Sequence, residues 1–185
     1  LTSRTNMTEA ILQTGYQVET RQRNGIKNVL LYGKDNPIIF LFPEQFLDTI
    51  SESIKMKITL SDNKIRSIQV QSKLFKTVKL QEQALPSRIS LPIGNILISP
   101  NTDKQTITCQ ITPLQQVYED LYEDVYAGAQ ETVSDIILLS FDNENKQRGC
   151  DFLNALMAVF NQYSRNVKVR EANLNAKFVR ERLDT

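Results

Sequence analysis

The sequence predicts an α+β domain in which a mixed or antiparallel sheet with short helices is followed by a long C-terminal helix. Short segments alternate apolar and polar residues between turn residues, as β-strands do. Helical patterns stand before and after these segments, which is typical of the α+β class. Residues 145–185 repeat apolar residues every three or four positions, which indicates one face of an α-helix.

The elements of the first half follow from local patterns. Thr2 or Ser3 can cap a short helix that runs through Thr14 and stops at Gly15. The pair Asn24-Gly25 predicts a hairpin turn between two strands. Strands are predicted at residues 16–23, 26–32, 38–42, 54–60, 65–70, 73–80, 94–99 and 105–111. Residues 81–93, which hold two prolines, are predicted to form an extended loop, and turns are predicted at residues 61–64 and 101–104.

The elements of the second half begin with a helix at Thr112-Pro113, a hydroxyl cap followed by a proline in the first helical position. This helix is predicted to reach Gly128. The continuous apolar run within residues 133–141 predicts a strand buried on both faces. A polar turn then leads into the long helix, so we predict a base domain at 1–144 and a helical part at 145–185.

The long helix carries two apolar stripes. The first, expected to face its own domain, is Leu153, Leu156, Phe160, Tyr163 and Val167. The second, on about the opposite side, is Val169, Ala172, Ala176, Val179 and Leu183. A helix that is apolar on two sides needs two surfaces to pack against. A partner subunit and a further helix of the same protein are both open for the second stripe.

The end of the chain carries no helix stop. No proline follows Pro113, and the only glycine after Gly128 is Gly149, at the entrance of the helix. The sequence also begins at Leu1 rather than at Met. We therefore expect the chain to be a piece of a longer protein in which this helix continues.

Amino-acid composition argues against several classes of function. The chain has 185 residues, which suits one domain, and a net charge of +1, which predicts no general attraction to nucleic acid. Histidine is absent, so the commonest general base and metal ligand is missing. No catalytic, cofactor-binding or metal-binding motif is found. Cys109 and Cys150 are expected to be small buried apolar residues rather than a disulfide.

Charge is divided along the chain. Residues 1–112 hold fourteen Lys/Arg and nine Asp/Glu, residues 113–144 hold none and eight, and residues 145–185 hold eight and four. The acidic segment is expected to be balanced within the fold, although acid-to-base contacts between subunits are the alternative. Tyr118, Tyr122 and Tyr126 are expected to share one helix face. The neighbouring acid pairs are expected to be a solvated surface rather than a cation site.

Several segments, in order, resemble the periplasmic domain of the chain-length determinant family. This family comprises the Wzz-type polysaccharide co-polymerases and the related Wzc-type tyrosine kinases. The similar segments are Leu1-Thr2-Ser3-Arg4, Leu31-Tyr32-Gly33 with Asn36-Pro37, residues 91–100 (LPIGNILISP), residues 133–141 (VSDIILLSF), Gln147-Arg148, residues 151–156 (DFLNAL) and residues 178–183 (FVRERL). Two segments depart from the family pattern, Gly149-Cys150 and Ala158-Val159-Phe160.

The resemblance implies a domain on the periplasmic face of the bacterial inner membrane, in a protein anchored there by flanking spans. Such proteins form homo-oligomeric rings and set the length of capsular polysaccharide, exopolysaccharide or O-antigen. The expected partners are further copies of the chain, the polymerase or export machinery, and the polysaccharide itself. No cofactor is expected.

The candidate contact residues lie on the long helix. The second stripe is the candidate oligomer contact, and Arg165, Arg170, Arg180 and Arg182 are candidate contacts to a polyanion, with plain solvation of the helix as the alternative. Two other functions remain open. One is an adaptor region attached to a cytoplasmic tyrosine kinase. The other is a glycan-active hydrolase, which would need two carboxylates converging across a cleft.

Overall fold

The computed structural model describes residues 2–43, 46–62, 64–72, 78–80, 83–85, 87–91, 93–99, 105–130 and 133–183. The fold is α+β. Its helices are α1 (Arg4–Thr14), α2 (Phe46–Thr49), α3 (Leu114–Asp124) and α4 (Lys146–Leu183), with a 3₁₀ turn at Gly33–Asp35. Its strands are β1 (Val18–Asn24), β2 (Lys27–Leu31), β3 (Ile38–Leu41), β4 (Ile54–Ser61), β5 (Lys64–Gln71), β6 (Val78–Leu80), β7 (Gln83–Ala84), β8 (Ser87–Leu91), β9 (Gly94–Ile98), β10 (Gln105–Ile111), β11 (Val125–Gln130) and β12 (Val133–Phe141).

The strands form three antiparallel sheets. The largest has the order β2-β1-β10-β4-β5-β6, with β7 also pairing with β5. A second sheet has the order β3-β9-β8, and β11 and β12 form a separate ribbon. Strand β10, which comes six strands after β4 in sequence, is inserted between β1 and β4. This long-range pairing brings the end of β10, and the helix α3 that follows it, beside the first residues of β1.

The apolar side chains form two cores. The first joins the two larger sheets through alternating inward residues such as Met56 and Ile58 of β4, Ile107 of β10 and Ile96 of β9. The second core packs three helices together. It contains Met7, Ala10, Ile11, Tyr16, Val117, Leu121, Val125, Phe152, Leu156 and Val159. Helix α4 is therefore attached to the domain through the second core.

Several local predictions are confirmed. The Ser3 side chain accepts a hydrogen bond from the Asn6 backbone N–H at 3.4 Å, and Gly15 closes α1 with a left-handed φ of 62°. The hairpins at Asn24-Gly25 and at residues 61–64 form as predicted. Helix α4 continues without a break for 38 residues. Of the predicted strand at residues 73–80 the structure describes only β6, and the predicted turn at residues 101–104 lies outside the described residues.

The prediction of an extended loop at residues 81–93 is wrong. This segment contains β7 and β8, and β8 pairs with β9 from Ser87 with Ile98 to Leu91 with Gly94. Ile89 and Leu91 point into the first core. The two prolines suggested a loop, but the alternation between them was the stronger signal, because burial of these side chains against the larger sheet stabilises the strand.

The second predicted helix begins and ends differently. Pro113 occupies the cap position of α3, and no side chain caps this helix, so Thr112 is not its hydroxyl cap. Helix α3 ends at Asp124, because Val125 pairs with Phe141 and starts β11. Tyr126 therefore belongs to a strand, and only Tyr118 and Tyr122 share a helix face, with ring centroids 5.7 Å apart.

Two burial predictions are also wrong. Strand β12 pairs with β11 alone in the described residues, and Ile137 and Leu138 on its two faces are 55% and 54% exposed. The strand is thus not buried on both faces. Cys109 is buried as predicted, but Cys150 is exposed, because its position on α4 faces away from the second core. Both cysteines are free.

Candidate functional site at the root and the exposed half of the long helix

The root of α4, residues 146–159, is attached to the rest of the domain through a buried arginine. Arg148 donates from Nη1 to Glu19 Oε1 at 2.8 Å and from Nη2 to the Tyr16 carbonyl oxygen at 2.6 Å. Its guanidinium carbon also lies 3.8 Å from the centroid of the Tyr16 ring, a cation–π contact. The side chain is only 5% exposed. Helix α4 is therefore tied to the chain just before and within β1 by one residue in its first turn.

This contact extends into a short network of charges. Glu19 Oε2 also accepts from Arg21 Nε at 3.2 Å, and Arg21 Nη2 lies 2.9 Å from Glu144 Oε2. Burial raises the pKa of Glu19, but the hydrogen bond and charge of Arg148 and the charge of Arg21 outweigh it, so that the pKa is lowered. The Arg21–Glu144 pair is one contact between the basic first part of the chain and its acidic segment.

A second polar contact holds the next turn of α4. Tyr32, which follows β2, donates its hydroxyl to Asp151 Oδ2 at 2.8 Å. Gln147 donates to the other oxygen of Asp151 at 2.7 Å. Burial, together with the Asp151 carboxylate, raises the pKa of Tyr32 to about 12. The hydroxyl therefore stays protonated and keeps donating to Asp151 at any ordinary pH.

Two asparagines shape the turn that enters α4. The Asn145 side chain accepts from the backbone N–H of Arg148 at 3.0 Å, which is the geometry of an N-cap. The Asn143 side chain accepts from the backbone N–H of Asn145 at 2.9 Å and donates to the hydroxyl of Tyr16. These bonds satisfy helix-terminal N–H groups and set the direction in which α4 leaves the domain.

Apolar contacts complete the root. Phe152 is fully buried, with its ring centroid 5.2 Å from that of Tyr16 and 5.8 Å from that of Phe141. Leu156 and Val159 continue this buried line on the next turns. Of the predicted first stripe, Leu156 is buried as expected, Leu153, Phe160 and Val167 are half-buried, and Tyr163 is 57% exposed. Phe152 and Val159, each one position before a predicted residue, are buried instead.

The second half of α4 exposes the predicted oligomer-contact residues. Val169 is 60% exposed, and Ala172 and Ala176 are exposed as well. Val179 and Leu183 lie on the same continuous helix, but their side chains fall outside the described part of the structure. Leu174 and Phe178, which continue the first stripe at helical spacing, are also exposed. Within this chain α4 buries apolar side chains on one side only, at Phe152, Leu156 and Val159. The expected contact of the second stripe with another surface stays a prediction.

The candidate polyanion contacts share this part of the helix. Arg165, Arg170 and Arg180 are exposed, and Arg165 also donates to the Asn161 carbonyl oxygen at 3.4 Å. The side chain of Arg182 lies outside the described residues. Because these arginines are spread over several turns, they form a basic helix surface and not a closed anion pocket.

The residues that sequence reasoning missed are those of the root. Arg148, Tyr32 and Phe152 lie in segments that resemble the chain-length determinant family, but none of them was predicted to be a contact residue. Phe152 lies one position beside the predicted stripe. An arginine inside the first apolar turn of a helix was the one available signal, since arginine is seldom fully buried unless it is paired. Its partners Tyr16 and Glu19 are more than a hundred residues away, so no local pattern connects them.

The arrangement of carboxylates bears on the hydrolase alternative. The buried polar side chains of the described residues belong to Asn6, Gln17, Thr20 and Arg148, and none of these is a carboxylate. No three Asp, Glu or Cys side chains in this part of the chain converge as they would around a metal ion. The described contacts fix the first turns of α4 to the domain and leave its second half exposed.

Across the residues that the structure describes, no helix combines the length and the apolar character that crossing a membrane requires. No family model and no curated protein matches this chain.

Proposed function

We propose that this chain is the periplasmic domain of a membrane-anchored polysaccharide chain-length determinant, which regulates polymer length as an oligomeric scaffold. The observation that carries the proposal is helix α4, whose first turns are fixed to the domain and whose second half exposes apolar residues. The segments that resemble the chain-length determinant family, and that occur in the same order along the chain, support the same function. Capsular polysaccharide, exopolysaccharide and O-antigen are the polymers concerned.

The physical argument rests on how helices are stabilised. An isolated helix is marginal in water, and most helical stability in proteins comes from packing of an apolar face. The second half of α4 has such a face but no described surface of its own chain against it. A neighbouring copy supplies that surface, and repeated contacts of this kind between identical copies close into a ring. In this proposal the root fixes the angle between neighbours, and Val169, Ala172 and Ala176 make the contact.

The proposal is tested first by self-association. We expect the protein that contains this chain, placed in a native-like bilayer, to form closed oligomers that native mass spectrometry or cross-linking can count. Ala172→Glu puts a charge on the contact stripe without disfavouring the helix, and we expect it to weaken association at least tenfold. Ser164→Glu adds the same charge on another side of α4 and serves as the control, with less than a threefold effect. A strictly monomeric wild-type protein would count against the scaffold.

The second test is the polymer itself. We expect deletion of the gene to broaden the length distribution of the surface polysaccharide, and Ala172→Glu to do the same while the protein is still produced. Gel separation of the polymer measures this distribution. If deletion instead abolishes the polymer, the protein is an enzyme or an exporter and the proposed function is wrong.

A further inference from the structure

The exposed second half of α4 is basic as well as apolar. Residues 165–180 hold five Lys/Arg and one Asp/Glu, which is Glu171. At about 100° per residue, Arg165, Lys168 and Arg180 border the second stripe, whereas Glu171 lies on another side of the helix. All three cations are exposed, and none of them belongs to an ion pair between described residues. This side of α4 therefore has an apolar centre with a cationic border.

Helix α3 presents the opposite charge on its outward side. The other side of this helix is buried in the second core. Glu119 and Glu123 lie four positions apart on the outward side, and Tyr122 lies beside them with 55% of its surface exposed. Glu119 accepts a hydrogen bond from Gln115 of the same helix, and neither glutamate is ion-paired with a described residue. This side of α3 is therefore an anionic surface that includes an exposed aromatic ring.

A single copy of the chain does not bring these two surfaces together. The second core joins α3 to the root of α4, so the two glutamates, on the opposite side of α3, face away from their own α4. Helix α4 then continues without a break, and its deeply buried contacts end at Val159, six positions before Arg165. The cationic side of α4 can therefore meet this anionic surface only on another copy.

Charge complementarity identifies a second copy as the partner. Residues 113–144 hold eight Asp/Glu and no Lys/Arg, so every copy that carries the cationic surface also carries an anionic counterpart. Opposite charges around an interface steer the two surfaces together and fix their register. Side-chain size at the centre agrees: Ala172 and Ala176 leave room on α4 for Tyr122, whose ring can cover apolar surface while its hydroxyl stays in water.

We propose that the second stripe of α4 in one copy docks on the acidic outward side of α3 in a neighbouring copy. In this contact Glu119 and Glu123 pair with the cations beside the stripe, and Tyr122 packs on Ala172 and Ala176. The inference rests on the proposed oligomeric function and names the surface that α4 contacts. Because the two surfaces differ, each copy uses one toward the first neighbour and the other toward the next, which is the arrangement that closes into rings.

The experiment reverses the charge on each surface in the protein that contains this chain, placed in a native-like bilayer. One variant combines Glu119→Lys with Glu123→Lys, and the other combines Arg165→Glu with Lys168→Glu. All four positions are exposed, so these changes leave the fold intact, which circular dichroism checks. We expect each variant alone to associate at least tenfold more weakly than the wild type, as measured by cross-linking or native mass spectrometry.

Mixing the two variants shows whether the contact is between copies. When both are produced in the same membrane with different tags, each supplies the surface that the other lacks, so we expect association within threefold of the wild type. Failure of the mixture to associate overturns the proposal.

A control variant separates this contact from net charge. Lys55→Glu with Lys57→Glu makes the same change of charge on exposed positions of β4, and we expect less than a threefold effect. An equal loss in this control overturns the proposal. If the wild type forms closed oligomers that none of these reversals weakens, only the docking of α4 on α3 is wrong, whereas a monomeric wild type also refutes the proposed function.

Discussion

At the scale of the residue, Arg148 connects the fold to the proposed function. Its guanidinium is buried, yet it is fully engaged by Glu19, by the Tyr16 carbonyl oxygen and by the Tyr16 ring. A buried ion pair adds little net stability compared with apolar packing, but removing one partner leaves the other without compensation. Arg148 therefore acts mainly by specifying where α4 joins the domain.

Arg148→Met tests this role. We expect the free energy of unfolding to fall by about 3 kcal/mol, because Glu19 loses its principal partner and the Tyr16 carbonyl oxygen loses its donor. Urea denaturation measures the change. The control is Arg165→Met, an exposed arginine on the same helix, for which we expect less than about 0.5 kcal/mol. Equal effects of the two substitutions would show that Arg148 is not an anchor.

The two cysteines give a second prediction at this scale. Cys109 is fully buried in the first core, and burial raises the pKa of its thiol to about 12, whereas Cys150 is exposed on α4. Because the thiolate is the reacting form, a thiol reagent should modify one cysteine per native chain and two per denatured chain. We expect Cys150→Ser to abolish the fast reaction of the native protein. Rapid labelling of two thiols in the native state would contradict the burial of Cys109.

At the scale of the element, the first half of α4 packs against the domain and its second half is exposed. At about 1.5 Å per residue its 38 residues span about 57 Å, and the deeply buried contacts end near Val159. The rest has few partners in this chain, so its hydrogen bonds should open easily.

Hydrogen exchange measures this difference. In the monomeric chain we expect the backbone amides of residues 152–159 to be protected at least a hundredfold more than those of residues 165–178. We expect the second group to become protected when the protein associates, because a neighbour then covers the exposed stripe. Uniform protection along α4 in the monomer would show that the helix does not need a partner.

Gly94, at the start of β9, lies in a position where the backbone of β3 leaves no room for a side chain. Its φ is +126°, and a Cβ atom placed there would lie 2.7 Å from the carbonyl oxygen of Leu41 in the adjacent strand β3. Gly94→Ala should therefore lower the free energy of unfolding by about 3 kcal/mol, from backbone strain and from this clash. Gly25→Ala is the control, since Gly25 also has a positive φ but has nothing within 4 Å, and about 1 kcal/mol is expected. Thermal or urea unfolding of both variants makes the comparison.

At the scale of the whole molecule, the root of α4 makes stability depend on pH. The pKa of Tyr32 is raised in the folded state, so the unfolded state loses this proton first as pH rises. The contribution of Tyr32 is therefore complete below about pH 10 and is lost as pH approaches about 12. Glu19 has the opposite sign: its folded pKa is lowered below 4.5, so its contribution is present above that pH and is lost in more acidic solution.

Tyr32→Phe tests the pH dependence of stability on the alkaline side. We expect the variant to be less stable than the wild type at pH 8 and to approach it between pH 10 and 12, because only the wild type has this hydroxyl to lose. Urea unfolding over that pH range gives the difference. Tyr163→Phe, which alters an exposed tyrosine of the second half of α4, should leave a constant difference from the wild type. If the difference in free energy of unfolding between Tyr32→Phe and the wild type also stayed constant over this pH range, the hydrogen bond to Asp151 would not be the cause of the alkaline loss of stability.

Local chemistry made much of the fold predictable. The cap at Ser3, the left-handed Gly15 and the hairpin at Asn24-Gly25 depend on a few neighbouring residues, and each is found where it was expected. The length of α4 was predictable for the same reason, since no residue within it stops a helix. The helical spacing placed the candidate oligomer contacts on one side of α4, and Val169, Ala172 and Ala176 are exposed there. Their contact with a second copy stays a prediction.

The wrong and missed predictions have one common cause. Strand β8 and the end of α3 were misread because a partner strand distant in sequence, or a competing pairing with β12, decided the outcome. The root of α4 was missed for the same reason, because Arg148 and its partners Tyr16 and Glu19 come from widely separated segments. The same holds for the buried Gln17, whose side chain donates to Leu47 and Thr112 while its Oε1 has no donor among the described residues.

The amino-acid order by itself determined which segments become helix or strand wherever spacing, caps and turns act over a few residues. Only the tertiary structure decided which side of α4 is buried, which carboxylates are paired and which acceptor is left without a donor. The physical reason is range: helix and turn chemistry acts between neighbours along the chain, whereas burial and ion pairing depend on which distant segments the sheet pairing brings together.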